Sequence, residues 1–153
     1  MAKIEINIVD AYVFRRRQGV VQFLLLQRRS GLQLGGTWQA MHGKIGEGEK
    51  AIDAARRAVT TLTGAAITAA YSADYVNQFF EHESDTLILA PVFAFEVAPA
   101  ATFALSPEYM DFAWCGAEEA TARLLFSGER WAVRHIEEII GLAGDEAEYY
   151  LIK

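Results

Sequence analysis

A chain of 153 residues with 52% hydrophobic and 22% charged side chains carries enough apolar material for one self-sufficient core, and predicts a single domain over residues 1–153. Its formal charge of -6 argues against general affinity for nucleic acid or an anionic membrane, since both need a basic surface. The one cysteine, Cys115, excludes an internal disulfide and reads as a small buried apolar residue in a reducing compartment.

The N-terminus, MAKIEINIVD, has no basic segment followed by an apolar run and no small-residue cleavage site. No apolar stretch approaches the roughly 20 residues that span a bilayer, so the expected location is cytoplasmic. Ile4, Ile6 and Ile8 alternate with Glu5 and Asn7, the period of a strand with one buried face. Val20 to Leu26 is a short apolar run between Gly19 and the Gln27-Arg28-Arg29 cluster and reads as a strand buried on both faces. From Glu49 onward the period changes: Ile52, Ala55, Val59 and Leu62 recur at the spacing of one helix face, and Gly64 is placed to cap it.

Further strands are expected over 66–70, 75–80, 86–97 and 112–115, with Pro91 marking an edge position or a bulge. Residues 117–126 and 129–142 read as helices, the second with Trp131, His135, Ile136, Ile139 and Ile140 available for packing. Strands on both sides of one helix, with further helices at the end, predict an α/β sandwich around a mixed sheet.

The segment GKIGEGEKAIDAARRAVTTLTG, Gly43 to Gly64, resembles the Nudix box, a loop-helix-loop motif written G-x5-E-x7-R-E-U-x-E-E-x-G-U, with U apolar. Gly43, Glu49, Arg57, Val59 and Gly64 fall on the motif's glycine, first glutamate, arginine, apolar position and late glycine, and Ala65 replaces its last apolar residue. TWQAMHGKIGEGE, the strand-like YVNQFFEHESDTLILAPVFAFEV and LSPEYMDFAWCGAEEA are similar to pyrophosphohydrolases of the dihydroneopterin triphosphate and dATP type. The resemblance covers roughly residues 4 to 140 and implies the Nudix fold, an α/β/α sandwich.

Three positions depart from the motif. Its other glutamates, which in the family hold the Mg2+ or Mn2+ ions that bridge substrate phosphates, are here Ala58, Thr61 and Leu62. Spaced three and four residues apart, these positions share one patch of helix surface. Magnesium takes oxygen ligands in octahedral geometry; alanine and leucine supply none, and threonine only a neutral hydroxyl. Losing a metal worth several kcal/mol of transition-state stabilisation costs about a thousandfold or more in rate.

The acids left to hold a metal are Glu47 and Glu49 at the helix entrance, with Glu108, which matches the acid of the family's Ser-x-Glu element. Glu49 also has a competing role, pairing with Arg57 to brace the loop. Lys44, Arg28 and Arg29 are candidate partners for a polyphosphate. Trp38 and Gln39 are candidates for stacking on and hydrogen bonding to a base or pterin ring, with Tyr75, Phe79 and Phe80 as further cleft aromatics. His42, His82 and His135 are too scattered for a metal site.

The expected function is therefore a Nudix hydrolase-like domain that takes a small phosphorylated ligand, nucleotide- or pterin-like, with weak or lost metal-dependent hydrolysis; its cofactor is Mg2+ or Mn2+, or none. The alternatives are an active pyrophosphohydrolase using Glu47, Glu49 and Glu108, or a protein-interaction module. No nucleic-acid or membrane partner is expected, and a homodimer is open.

Overall fold

The computed structural model describes residues 1–153. In chain order it contains strands β1 (Lys3–Glu5), β2 (Ile8–Arg17), β3 (Val20–Arg28), β4 (Trp38–Gln39) and β5 (Met41–Lys44), helix α1 (Ala51–Thr63), strands β6 (Ile67–Glu81), β7 (Thr86–Val97) and β8 (Tyr109–Cys115), and helices α2 (Ala117–Arg123) and α3 (Ser127–Ile136). A π-helical turn over Glu137–Gly141 and a 3-10 helix over Asp145–Tyr150 follow. No helix is long and apolar enough to cross a membrane.

All eight strands join one mixed sheet. β7 runs parallel to β1 and β2 and antiparallel to β6. β2 is shared along its length: residues 8–11 pair with β5 and residues 14–17 with β3. The short β4, paired to Leu26 and Gln27 of β3, stands where these two partners of β2 diverge.

Alternating side chains send β2 and β7 into two cores. Val9, Ala11, Val13, Phe95 and Val97 join Leu24, Leu26 and the α1 residues Ala54, Ala55, Val59 and Leu62 on one face. Tyr12, Phe14, Val92 and Ala94 join Phe23, Leu25 and the α2 and α3 residues Ala120, Ala132, Val133 and Ile136 on the other. The α/β/α sandwich expected from the sequence is thus the observed architecture, and β3 is buried on both faces from Phe23 to Leu26. Gly64 ends α1 in the left-handed conformation, φ 67°, its N–H donating to the Thr60 carbonyl, as a C-terminal cap requires. Cys115 is fully buried.

Several expectations are corrected. The isoleucine alternation at the N-terminus is not one half-buried strand: β1 ends at Glu5, Ile8 opens β2, and Ile4 and Ile6 are 65% and 58% exposed. The expected strands 66–70 and 75–80 are one strand, β6, with an irregularity between Ser72 and Val76. Of the two expectations for Pro91 the edge position is corrected, since β7 is an interior strand, while the bulge agrees with the register shift between Ser72 and Val76 on β6. Pro91 is opposite Val76 and falls between the stretch of β7 that pairs with β1 and the stretch that pairs with β2, so its missing N–H costs no ladder bond on that side. The last long helix breaks into α3 and the π turn, and Trp131, expected to pack, is 60% exposed on α3.

Candidate functional site

The loop before α1 is held by one carboxylate. Glu49 accepts from Arg57 Nε at 3.0 Å and Nη2 at 2.9 Å and from the Gly46 N–H at 2.9 Å, while Arg57 Nη2 also donates to the Lys44 carbonyl at 2.6 Å. This planar two-pronged pairing suits a guanidinium. The Arg57 hydrogen bonds, helped by the Gly46 N–H, lower the Glu49 pKa from 4.5 to about 2. The carboxylate therefore supports the loop fully above pH 4.5, and that support is lost as pH falls through about 2. Carbon-13 titration of the Glu49 carboxyl should show this depressed midpoint and its return toward 4.5 in Arg57→Gln; an ordinary midpoint in the unsubstituted protein contradicts the brace.

The helix face that faces β5 is apolar and buried at positions 58 and 62. Ala58 is buried against Gly43, where an added Cβ would stand 3.0 Å from the Ala58 Cβ. Leu62 is buried in the core, and the segment before β8 crosses the helix end, with Ser106 N–H donating to the Leu62 carbonyl and Ala104 N–H to the Thr63 carbonyl. Thr61 alone of the three substituted positions is exposed. Glu108 is occupied by Arg28 Nη1 at 3.1 Å and by the Ser106 hydroxyl at 2.9 Å. Glu47 is exposed in the loop. No group of three His, Cys, Asp or Glu side chains is placed to hold a metal ion.

On the other side of β5 lies a cleft of about 240 Å³, lined by Arg28, Gln33, Leu34, Gln39, His42 and Phe126. Two expected ligand residues, Arg28 and Gln39, are brought together there. Lys44 and Trp38 do not line it: Lys44 is exposed, and Trp38 packs against the α2/α3 core under the Arg123 guanidinium, 4.9 Å from its ring. Arg29 is bound to the Pro107 and Tyr109 carbonyls. Nor do the other aromatics reach it, since Tyr75 packs on His135 and Phe79 and Phe80 are exposed along β6.

Behind the cleft is a charged cluster that the sequence did not single out. Asp10 and His42 are directly opposite in the β2–β5 register, and His42 Nδ1 meets Asp10 Oδ1 at 2.7 Å. Asp10 Oδ2 accepts from Asn77 Nδ2 at 3.1 Å. Glu129, on the first turn of α3, accepts from the Ala40 N–H at 2.9 Å and lies 3.6 Å from His42 Nε2. Both carboxylates are 1% exposed. Gly128 lets α3 approach β6 here, because a Cβ would strike the Asn77 side chain.

Burial alone lowers the His42 pKa, but hydrogen bonding and charge from Asp10 and Glu129 outweigh it and raise it from 6.5 to about 10,. His42 is therefore an imidazolium at neutral pH, with two-fifths of its side chain exposed to the cleft. Its contribution to stability is complete below pH 6.5 and fades as pH rises through about 10. The one sequence signal for this cluster is an acid, Asp10, inside an apolar strand.

Comparison with known proteins bears on these features together. The family model described as "NUDIX domain" matches residues 6–138. An octanoyltransferase of Myxococcus xanthus is 31% identical over 128 residues, which are 82% of this chain and 35% of that protein, so the chain spans about a third of the relative's length. Among solved structures, the NUDIX domain of Shewanella oneidensis NrtR complexed with ADP ribose superposes with TM-score 0.67 at 15% identity, covering 90% of this chain and 88% of that one. The E. coli dihydroneopterin triphosphate pyrophosphohydrolase also superposes with TM-score 0.67, at 19% identity, covering 91% and 100%. With the loop brace, the helix and the mixed sheet all in the registers described, the chain belongs to the NUDIX domain family.

Proposed function

We propose that this domain binds a small phosphorylated ligand, nucleotide- or pterin-like, in the cleft lined by Arg28, Gln39, His42 and Phe126, with metal-dependent pyrophosphate hydrolysis weak or lost. The observation that carries this reading is the contrast across β5. On one side the α1 face is apolar and closed, with Ala58 against Gly43 and Leu62 in the core. On the other side a cleft with polar and aromatic lining persists.

Divalent metal ions are general in the family. The residues here do not fit one: Glu49 is held by Arg57, Glu108 by Arg28 and Ser106, and positions 58, 61 and 62 bear no carboxylate. His42 offers a cation within the chain instead, and Gln39 and Gln33 offer amide donors and acceptors for a heterocycle stacked on Phe126. The ADP ribose held by the Shewanella oneidensis domain supports the ligand class.

Calorimetry with a panel of ADP ribose, nucleoside triphosphates and dinucleoside polyphosphates in EDTA tests the proposal. We expect metal-free binding of at least one member, weakened about tenfold by Gln39→Ala, roughly the effect of losing one or two hydrogen bonds. Failure of every member to bind contradicts it.

The octanoyltransferase relative favours a second reading, a non-catalytic module that works beside an acyltransferase. Under that reading no nucleotide raises the melting temperature, whereas a cleft ligand binding the folded state raises it by an amount that keeps growing with the logarithm of its concentration above the dissociation constant.

A further inference from the structure

The two apolar residues of the cleft lining, Leu34 and Phe126, pack in neither core. They come from separate elements, Leu34 from the turn between β3 and β4 and Phe126 from the link between α2 and α3, and are 44% and 49% exposed. Leu34 is also a strained residue. Its φ of 59° lies in the left-handed region, which a bulky side chain rarely adopts,. The other non-glycine residues with positive φ are Gln18, Asp74 and Asp85, all polar, and aspartate is among the residues that tolerate this conformation. Leu34 is the one apolar residue among the four.

The surrounding structure holds the leucine there. The Gly36 N–H donates to the Arg28 carbonyl at 2.8 Å, the Gly35 N–H to the Leu32 carbonyl at 2.9 Å, and the Thr37 hydroxyl to the Leu34 carbonyl at 2.7 Å. Arg28 Nε donates to the Gln33 carbonyl at 3.3 Å. The link that carries Phe126 is fixed as well. Arg130 Nη1 donates to the Leu124 and Leu125 carbonyls at 3.0 Å and 2.7 Å, and Leu124 bridges to Trp38 of β4. Strained backbone persists where its surroundings over-determine it, and such positions cluster at ligand clamps. Glycine would make the same turn without the strain, yet the position carries a large apolar side chain that neither core uses.

We propose that Leu34 and Phe126 form a rigid clamp on the two faces of one flat heterocycle, a role that rests on the cleft taking a ligand at all. The Phe126 ring stacks on one face, and the Leu34 side chain covers the other by apolar burial. The cleft volume of about 240 Å³ lies below the roughly 300–1,000 Å³ of pockets that engulf a whole drug-sized ligand. It suits a single ring system, with the rest of the ligand reaching out of the cleft. Gln33 and Gln39 line the same space and offer amide donors and acceptors to the ring edge. Because both walls are fixed before a ligand arrives, little ordering entropy is lost on binding. Leu34 thereby sets the ligand class by the ring, not by the number of phosphates attached to it.

Calorimetry of the full chain in EDTA, with the nucleotide panel, tests the clamp. For a panel member that binds, Leu34→Gly and Leu34→Ala should each raise the Kd by about tenfold or more, as loss of one buried aliphatic contact does. Leu34→Met, which keeps the volume, should hold the Kd near its original value. The loss should be the same for the monophosphate, diphosphate and triphosphate of one base, since the missing contact is to the ring. Leu34→Gly should leave the melting temperature of the ligand-free protein unchanged or raise it, because glycine relieves the left-handed backbone. Gln18→Gly relieves the same conformation in the β2–β3 turn and should leave the affinity unaltered. Binding that Leu34→Gly does not weaken overturns the clamp and leaves the cleft reading standing, whereas no binding by any panel member removes both. A lower melting temperature in Leu34→Gly also overturns the clamp, by making Leu34 a packing residue of the fold. So does a loss of affinity that grows with the number of phosphates.

Discussion

Replacing Leu62 by glutamate is expected to destabilise the domain by about 3–5 kcal/mol, a fall of roughly 10 °C in melting temperature for a domain of this size. Leu62 is buried in the core beneath α1, with its own carbonyl capped by the Ser106 N–H. The substitution removes the leucine's contacts and places a carboxylate within the apolar cluster of Val9, Ala55, Val59 and Phe95. Thr61→Glu, on the exposed side of the same helix, should change stability by less than about 0.5 kcal/mol. Urea denaturation of the two variants checks the contrast. Equal stabilities would mean that the helix face at Leu62 is open to water, as a metal-binding face must be. Ala58→Glu, Thr61→Glu and Leu62→Glu combined should still create Mn2+ affinity in the folded fraction, measured by calorimetry, and a folded triple variant that takes up no Mn2+ contradicts that expectation.

Asp10→Ala should cost about 2–3 kcal/mol, below the 3–5 kcal/mol typical of breaking a fully buried pair because His42 is partly open to solvent. Asp10 is the one group that accepts from both His42 and Asn77, so its loss leaves two donors without a partner on β5 and β6. The His42 imidazole should then titrate well below its present value of about 10, which nitrogen-15 shifts of the ring report directly. The stability difference between Asp10→Ala and the unsubstituted protein should be full at pH 6 and shrink as pH approaches 10, since the pairing depends on the imidazolium. A His42 that titrates near 6.5 in the unsubstituted protein contradicts this account of the cluster.

Local spacing makes the box readable in the sequence. Gly43, Glu49, Arg57 and Gly64 lie within one loop and helix and fall on the spacing of the motif the segment resembles, so the resemblance supplies their roles and the helical period supplies the apolar face and the Gly64 cap,. The burial of β3 and the capping of α1 are legible for the same reason. The cluster behind the cleft is not, because Asp10 and His42 are 32 residues apart and Ala40 and Glu129 are 89 apart. Only the strand register and the placement of α3 bring them together. The N-terminal alternation misleads because a period of two reports a strand, not what covers its face: Ile4 and Ile6 are exposed. Trp38 misleads because an aromatic in the loop before the box could serve a ligand or the core, and the contact with Arg123 and the α2/α3 core is tertiary.

The central proposal is that the scaffold of the family is kept while its metal-dependent chemistry is weak or lost. Phosphate and pyrophosphate release from the nucleotide panel in Mn2+ tests it most directly, with the unsubstituted protein compared against Glu49→Gln and Glu108→Gln. The account predicts little or no turnover above a protein-free control in all three. Robust Mn2+-dependent turnover by the unsubstituted protein, abolished by Glu49→Gln or Glu108→Gln, would contradict it and establish a working pyrophosphohydrolase built on the remaining acids.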